Sequence, residues 1–413
     1  MPADNILVGL DIGTTKVCAV VGEYDEQGQI QIIGIGTSPS HGLRRGVVIN
    51  IEATLKSVSE AVEAAEMMSG REVQTVVTGI AGAHIEGINS RGVVAVSGRD
   101  REITEEDISR VIEAAKAIVI PMDREVLHVI PQQFVVDDQG GIRDPVDMIG
   151  VRLEAEVHII TGTVTSAQNL LKCVNRAGFR VHDIALESLA SAQAVLSADE
   201  RDLGVLLIDL GGGTTDVLVY MEGAPYHTDV IAVGGGQVTS DLSIMLKTPI
   251  ESAEKIKKDA GCCFMPLVDS DEEVVIPGVG GWPAASIPRK EMCRIIQPRM
   301  VEILSMVRDQ LEKKSLASHL GGGVVLTGGG SLLPGVTELA HEIFDVPARI
   351  GYPKQLGGLT REYHNPMYST GVGLVLYYAD LLQGSATNTA APKRSGSSEG
   401  FIEKLKKWMQ EFF

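Results

Sequence analysis

Apolar and polar positions fall into two rhythms along the first part of the chain. Short β-branched runs, ILVGL (6–10), VCAVVGEY (17–24) and QIIGIGT (31–37), predict strands. INIEATLKSVSEAVEAAEMMSG (49–70) carries its apolar residues at helical spacing and predicts an amphipathic helix. The strand rhythm restarts at Gly204 with GVLLIDLGGGTTDVLVY. Strands interleaved with long helices predict an α/β architecture.

Two segments repeat one design, an apolar strand, then Asp-x-Gly, then a Thr pair: DIGTTK from Asp11 and DLGGGTTD from Asp209. Asp-x-Gly is common, so each alone reads equally as an unrelated glycine hairpin. Together, about half a chain apart, they predict two related lobes facing one cleft. A third glycine cluster, VVLTGGGSLLPG (324–335), runs from a buried strand into a turn before the helix VTELAHEIF. Glycines there allow the backbone to approach a flat or charged ligand closely, although a plain strand-to-helix turn has the same composition.

Residues 84–162 have a different texture. The strands RGVVAVSG and EVHIIT flank the helix TEEDISRVIEAAKAI, whose Thr cap and acidic first turn mark its start, and the whole predicts a compact α+β insertion. The stretch 384–400, GSATNTAAPKRSGSSEG, predicts a flexible linker.

Gly- and Thr-rich hairpins present several N–H groups and hydroxyls to one anion, and two of them facing each other would clamp a triphosphate from both sides. No GxxxxGK[ST] occurs, which excludes a Walker-type loop. Asp11 and Asp209, at the two strand ends, are placed to hold Mg²⁺, through water because that ion sheds its shell reluctantly. In SAEKIKKDAG, Glu254, Lys257 and Lys258 share one helix face. The carboxylate suits ribose hydroxyls and a lysine stem suits a base; a solvated charged face has the same pattern.

DIGTTK, IALESLASA, IDLGGGTTD, VVLTGGGSLLPG and STGVGLVL follow the order of the phosphate, connecting and adenosine motifs of the actin/Hsp70/sugar-kinase ATPase superfamily, which the chain resembles along its length. Within it, PQQFVVDDQGGIRDPVDMIGVRLEAEVHIIT is similar to the bacterial cell-division FtsA family. The resemblance implies an actin-like two-lobed fold in which the insert, subdomain 1C, replaces a subdomain of actin. Subdomain 1A would comprise 1–83, 163–196 and 359–383, 1C 84–162, 2A 197–233 and 316–358, and 2B 234–315.

It further implies ATP in the cleft with at most slow hydrolysis. Gly13, Thr14, Thr15 and Lys16 would meet the phosphates from one lobe, and Gly212, Gly213, Thr214 and Thr215 from the other. Gly235, Gly236, Glu254, Lys257, Lys258, Gly328, Gly329 and Gly330 would complete the nucleotide site. Glu187 matches the acidic position that orients the attacking water in relatives, where a Glu-Pro pair is usual; here Ser188 follows it. Implied partners are a second copy in a filament, the C-terminal peptide of the tubulin-like FtsZ on 2B, where Arg299 matches, and other division proteins on 1C. Arg299 reads equally as an incidental arginine on a core-packing helix, with Pro298 expected at that helix's start or as its kink.

Charge then divides the chain. Over 413 residues, 36 basic against 54 acidic side chains give a net charge of −18, which opposes a nucleic-acid partner. From Gly384 onward, Lys393, Arg394, Lys404, Lys406 and Lys407 outweigh Glu399, Glu403 and Glu411, leaving +2 on the tail and −20 on the body. In FIEKLKKWMQEFF (401–413) the residues Phe401, Ile402, Leu405, Trp408, Met409 and Phe412 form one helical stripe, with Lys404, Lys406 and Lys407 on the remaining arc. This helix, too short to span, suits the surface of an anionic bilayer, and docking on a protein surface is the alternative. The MPADNILVGLDIG start lacks a secretory pattern, no apolar run reaches transmembrane length, and five scattered cysteines without CxxC predict reduced packing residues.

The expected protein therefore binds ATP, assembles on the cytoplasmic face of the membrane at the septum, and tethers FtsZ there. A related pilus-assembly adaptor is the nearest rival. A small-molecule kinase of the superfamily would need a substrate pocket with a catalytic Asp, and the insert offers no sugar motif.

Overall fold

The computed structural model describes residues 6–269, 272–277 and 283–386. Two sheets of the same design carry the two lobes. In the first, strands Ile6–Ile12, Lys16–Tyr24 and Ile30–Pro39 form an antiparallel meander, and Thr75–Ile80 and Arg180–Leu186 add in parallel beyond Ile6–Ile12. In the second, Val205–Leu210, Thr215–Met221 and Ala224–Ile231 form the meander, and Val324–Thr327 and Ala348–Ile350 add in parallel. Each Asp of the repeated motif thus stands near the end of its central strand, where an antiparallel hairpin and a parallel neighbour meet.

Two helices join the lobes, Glu187–Val195 and Ser369–Ala386. The second runs past Gly384, where the linker was expected to begin. Their Leu189, Ala190, Ala192, Val372, Leu374 and Val375 share one core with Leu7, Leu10 and Val20 of the first sheet and Leu207, Leu218 and Val325 of the second. The helices are therefore packed between the sheets, and their small side chains let them approach closely, as IALESLASA and STGVGLVL predict.

The insert has its own core, built on Phe134, Leu153, Val157, Ile159, Ile108 and Ile112. Its antiparallel sheet runs in the order Glu86–Ala95, Arg152–Thr163, Arg124–Val136, Gln139–Ile142. The helix Glu105–Lys116 packs on this sheet and opens with a capping box, Thr104 and Asp107 each satisfying the other's backbone N–H. Although both ends of the insert lead into the first lobe, it docks on the second. Gln132 Nε2 donates to the Pro225 carbonyl at 3.1 Å, Arg143 pairs with Asp202 at 3.0 Å, and buried His158 lies 2.9 Å from Thr228 Oγ1.

Pro298 lies inside the helix Arg289–Lys313, not at its start. All five cysteines are free and buried. No helix among the described residues is long and apolar enough to cross a membrane. The stripe Phe401, Ile402, Leu405, Trp408, Met409 and Phe412 and the lysines Lys404, Lys406 and Lys407 lie outside the described residues.

Candidate functional site

The two hairpins face each other between the lobes, tip to tip. A Cβ on Gly213 would fall 2.6 Å from Thr14 Oγ1, and one on Gly212 2.6 Å from Thr15 Oγ1. Glycine is what permits this approach. The expected clamp is thus closed on itself, and a phosphate lodged between these tips requires them to part by its own thickness. Thr14 Oγ1 also accepts the Gly46 N–H at 3.1 Å, and Thr215 Oγ1 donates to the Val233 carbonyl at 2.8 Å.

Below the tips four carboxylates converge: Asp11, Glu187, Asp209 and Asp216. Burial first, then the neighbouring acids Asp11, Asp216 and Asp209, push the Glu187 carboxyl well above its ordinary range. Burial and the Asp209 charge push Asp216 up to about 8, and burial raises Asp11 to about 6 against the opposing Lys16 ammonium. Asp209 is also raised by burial, with hydrogen bonds from Ser191 and Thr370 pulling back. Burial disfavours the charged form of each of these acids, and for Glu187, Asp216 and Asp11 the adjacent negative charges add to it.

A hard divalent cation would relieve that repulsion, and the residues fit one. Asp216 Oδ1 is buried with no hydrogen-bond partner, while Thr214 Oγ1 donates to Oδ2 at 3.0 Å. Among the described residues no three such side chains converge as direct ligands, so Mg²⁺ here would keep much of its water. Glu187 opens the first connecting helix, half-buried, with its side chain against Gly79.

The third glycine turn closes the site from the second lobe. Gly328 has φ 79°, and a Cβ on it would overlap Asp209 Oδ1. A Cβ on Gly329 would meet nothing, so this backbone is open to a ligand, whereas Gly330 packs on Leu210. The Gly235–Leu246 helix begins beneath the second hairpin, the Gly235 and Gly236 N–H groups donating to the Gly211 and Gly212 carbonyls.

Lys257 ties the next helix, Ile250–Ala260, to this start: its ammonium donates to the Gly235 carbonyl at 3.1 Å, to Thr239 Oγ1 and to Glu254. Lys258 pairs with the other Glu254 oxygen at 3.2 Å. The three residues do share one face, but Glu254 is already engaged by both lysines and Thr239. The Lys16 ammonium donates to the Met367 carbonyl at 2.5 Å and lies over the Tyr368 ring. Arg299 sits apart from the cleft, bonded to Asp241 at 2.6 Å and to Glu302.

The motif reading passed over Asp216, although it closes DLGGGTTD, and took Ser191 and Thr370 only as small packing residues. The available signal for Asp216 was its place directly after the second Thr pair, where the first hairpin carries Lys16 instead.

Comparison with known proteins agrees with this geometry. Residues 206–373 match the family model for the cell division protein FtsA, and residues 82–161 that for the SHS2 domain inserted in FtsA. The cell division protein FtsA of Borreliella burgdorferi is 48% identical over 99% of both chains. The chain belongs to the FtsA family. The FtsA of Escherichia coli is 40% identical over 99% of this chain and 98% of its own. The fold is also that of more distant structures at 16% identity: a PilM–PilN type IV pilus biogenesis complex, TM-score 0.66 over 92% of this chain and 99% of that one, and Spiroplasma citri MreB5 bound to ADP, TM-score 0.57 over 94% and 100%. FtsA membership and the actin-like fold with its inserted domain thus stand together.

Proposed function

We propose that the chain binds ATP with Mg²⁺ between its lobes, assembles with copies of itself on the inner face of the cytoplasmic membrane, and anchors FtsZ to that membrane at the septum. The observation that carries the nucleotide part is the cluster of three buried aspartates, Asp11, Asp209 and Asp216, and half-buried Glu187 beside them, beneath two apposed Gly/Thr hairpins, with the orphaned Asp216 oxygen among them. Crowding acids in a poorly solvated place is costly, and a bound cation would offset that cost. Gly13, Thr14, Thr15, Gly212, Gly213, Thr214 and Thr215 would hold phosphate oxygens once the tips part, with Lys16 behind them. Asp11 and Asp209 would hold the ion's waters, and Glu187 would orient water for slow hydrolysis. Gly328, Gly329, Gly330, Gly235, Gly236, Glu254, Lys257 and Lys258 would line the nucleoside side.

Binding of magnesium supplies charge neutralisation for the phosphates; everything else here is positioning by the chain. Family membership supports the division role, and the amphipathic basic tail supports the membrane role. FtsZ's peptide would dock on 2B near Arg299 and further division proteins on 1C. Sedimentation of the full chain with anionic liposomes, with and without ATP and Mg²⁺, tests the whole reading. ATP-dependent filaments on lipid are expected; a chain that neither binds ATP nor pellets with lipid would overturn it.

A further inference from the structure

Asp209 is gripped from both helices that join the lobes. Its Oδ2 accepts a hydrogen bond from Ser191 Oγ at 2.6 Å, on the first helix, and from Thr370 Oγ1 at 3.3 Å, on the second. The two hydroxyls lie 3.0 Å apart, and all three side chains are buried. One residue earlier, Ser369 Oγ lies 2.7 Å from Thr327 Oγ1, at the end of the adjacent strand of the same sheet. Just before that, the Met367 carbonyl takes the Lys16 ammonium from the first hairpin. Residues 367–370 thus gather groups from both phosphate hairpins' strands and from the other connecting helix.

Packing does not require this. The positions around it, Ala190, Ala192, Gly371, Val372 and Gly373, are small or apolar and already allow the helices to cross closely. An alanine at 191 and a valine at 370 would fill the same space without burying hydroxyls, which cost free energy unless they are bonded. These hydroxyls are bonded, and what they bond is a carboxylate at the nucleotide site. They occupy Oδ2 and leave Oδ1 turned toward Gly328 and the glycine turn of the cleft.

We propose that Ser191 and Thr370 are positioning residues of the nucleotide site, fixing Asp209 so that one oxygen serves the nucleotide's hydrated magnesium and coupling that ion to the crossing of the lobe-joining helices. The assignment rests on the ATP reading above. Without either hydroxyl, Asp209 is free to turn, and its alignment toward the ion is lost while the glycine turns that receive the rest of the nucleotide are untouched.

The test titrates a fluorescent ATP analogue into the full chain with Mg²⁺ and with EDTA, for the wild type, Ser191→Ala, Thr370→Val and Thr370→Ser. In the wild type, Mg²⁺ should tighten binding. Loss of a hydrogen bond to a charged group predicts that Ser191→Ala and Thr370→Val each weaken the Mg²⁺ complex by about tenfold or more. Their affinity with EDTA should stay at the wild-type value, and Thr370→Ser should restore the Mg²⁺ effect. Should Ser191→Ala fail to fold, the two Thr370 variants carry the comparison. A wild type with Mg²⁺-dependent binding and variants that keep it within twofold would overturn the positioning role alone. Equal weakening with and without Mg²⁺ would also overturn it, as general damage to the fold. A wild type that binds no nucleotide would overturn the ATP reading, and this inference with it.

Discussion

Gly373 and Ala190 meet where the two lobe-joining helices cross, so closely that a Cβ on Gly373 would overlap the Ala190 carbonyl oxygen. The obstacle is backbone, which cannot swing aside as a side chain does. Gly373→Val should therefore force the helices apart and cost about 1–3 kcal/mol. Urea unfolding measures this directly, and a change within experimental error would show that the crossing is loose. Gly70→Ala makes a useful contrast, because a Cβ there meets nothing and only the left-handed φ of 67° resists it.

Acid should loosen the junction between the insert and the second lobe. His158 lies between Asn89, 2.5 Å from Nδ1, and Thr228, 2.9 Å from Nε2, and burial lowers its pKa from 6.5 to about 3. Burial and the Lys314 charge lower that of nearby His227 to about 4. The unfolded chain takes up these protons near pH 6.5 and the folded chain does not. Stability from neutral histidine is thus complete above that value and falls as pH drops toward 4, by up to about 1.4 kcal/mol per pH unit per group. Denaturant midpoints at pH 7 and pH 5 give the slope, and His158→Gln should flatten it. An unaltered slope in that variant would remove His158 from the account.

Arg299 is not a free cation awaiting an acidic peptide, since Asp241 and Glu302 already hold its guanidinium. A peptide carboxylate must compete with them. Asp241→Asn should then tighten binding of the FtsZ C-terminal peptide, and Arg299→Glu should weaken it, each by several-fold and neither with an effect on nucleotide. Fluorescence anisotropy with labelled peptide reads both, and identical affinities across the three proteins would exclude Arg299 from the docking surface.

Deleting residues 399–413 should abolish pelleting with anionic liposomes while ATP binding persists. Trp408→Glu should act in the same direction, because it sets a charge in the apolar stripe. Undiminished pelleting of the truncated chain would assign membrane contact to the acidic body instead.

The doubled motif made the two sheets legible, because a strand, a tight glycine turn and a Thr pair leave the backbone few other courses. Thr104 announced the insert's helix for an equally local reason: its cap is satisfied within one turn. What the sequence concealed was convergence over distance. Asp209 meets Thr370 across 161 positions, and nothing about a small polar residue within a small-residue helix marks which neighbour it will find. The contact of the hairpin tips was likewise hidden, since glycine composition permits both an open cradle and a closed one. Of the two places open to Pro298, helix start or interior, the sequence could not choose; the interior is tolerated where tertiary burial of Ile296, Met300 and Ile303 offsets the lost bond to the Arg294 carbonyl.

The docking of the insert on the second lobe changes how this molecule can move. A pair of lobes joined only at crossing helices opens like a book, with its far edge free. Here the insert leaves the first lobe and fastens to the second through Gln132, Arg143 and His158, which makes a closed frame braced at two places. Such a frame resists simple opening and yields by twisting. Separation of Thr14 and Thr15 from Gly212 and Gly213 therefore loads this second brace as well as the crossing helices.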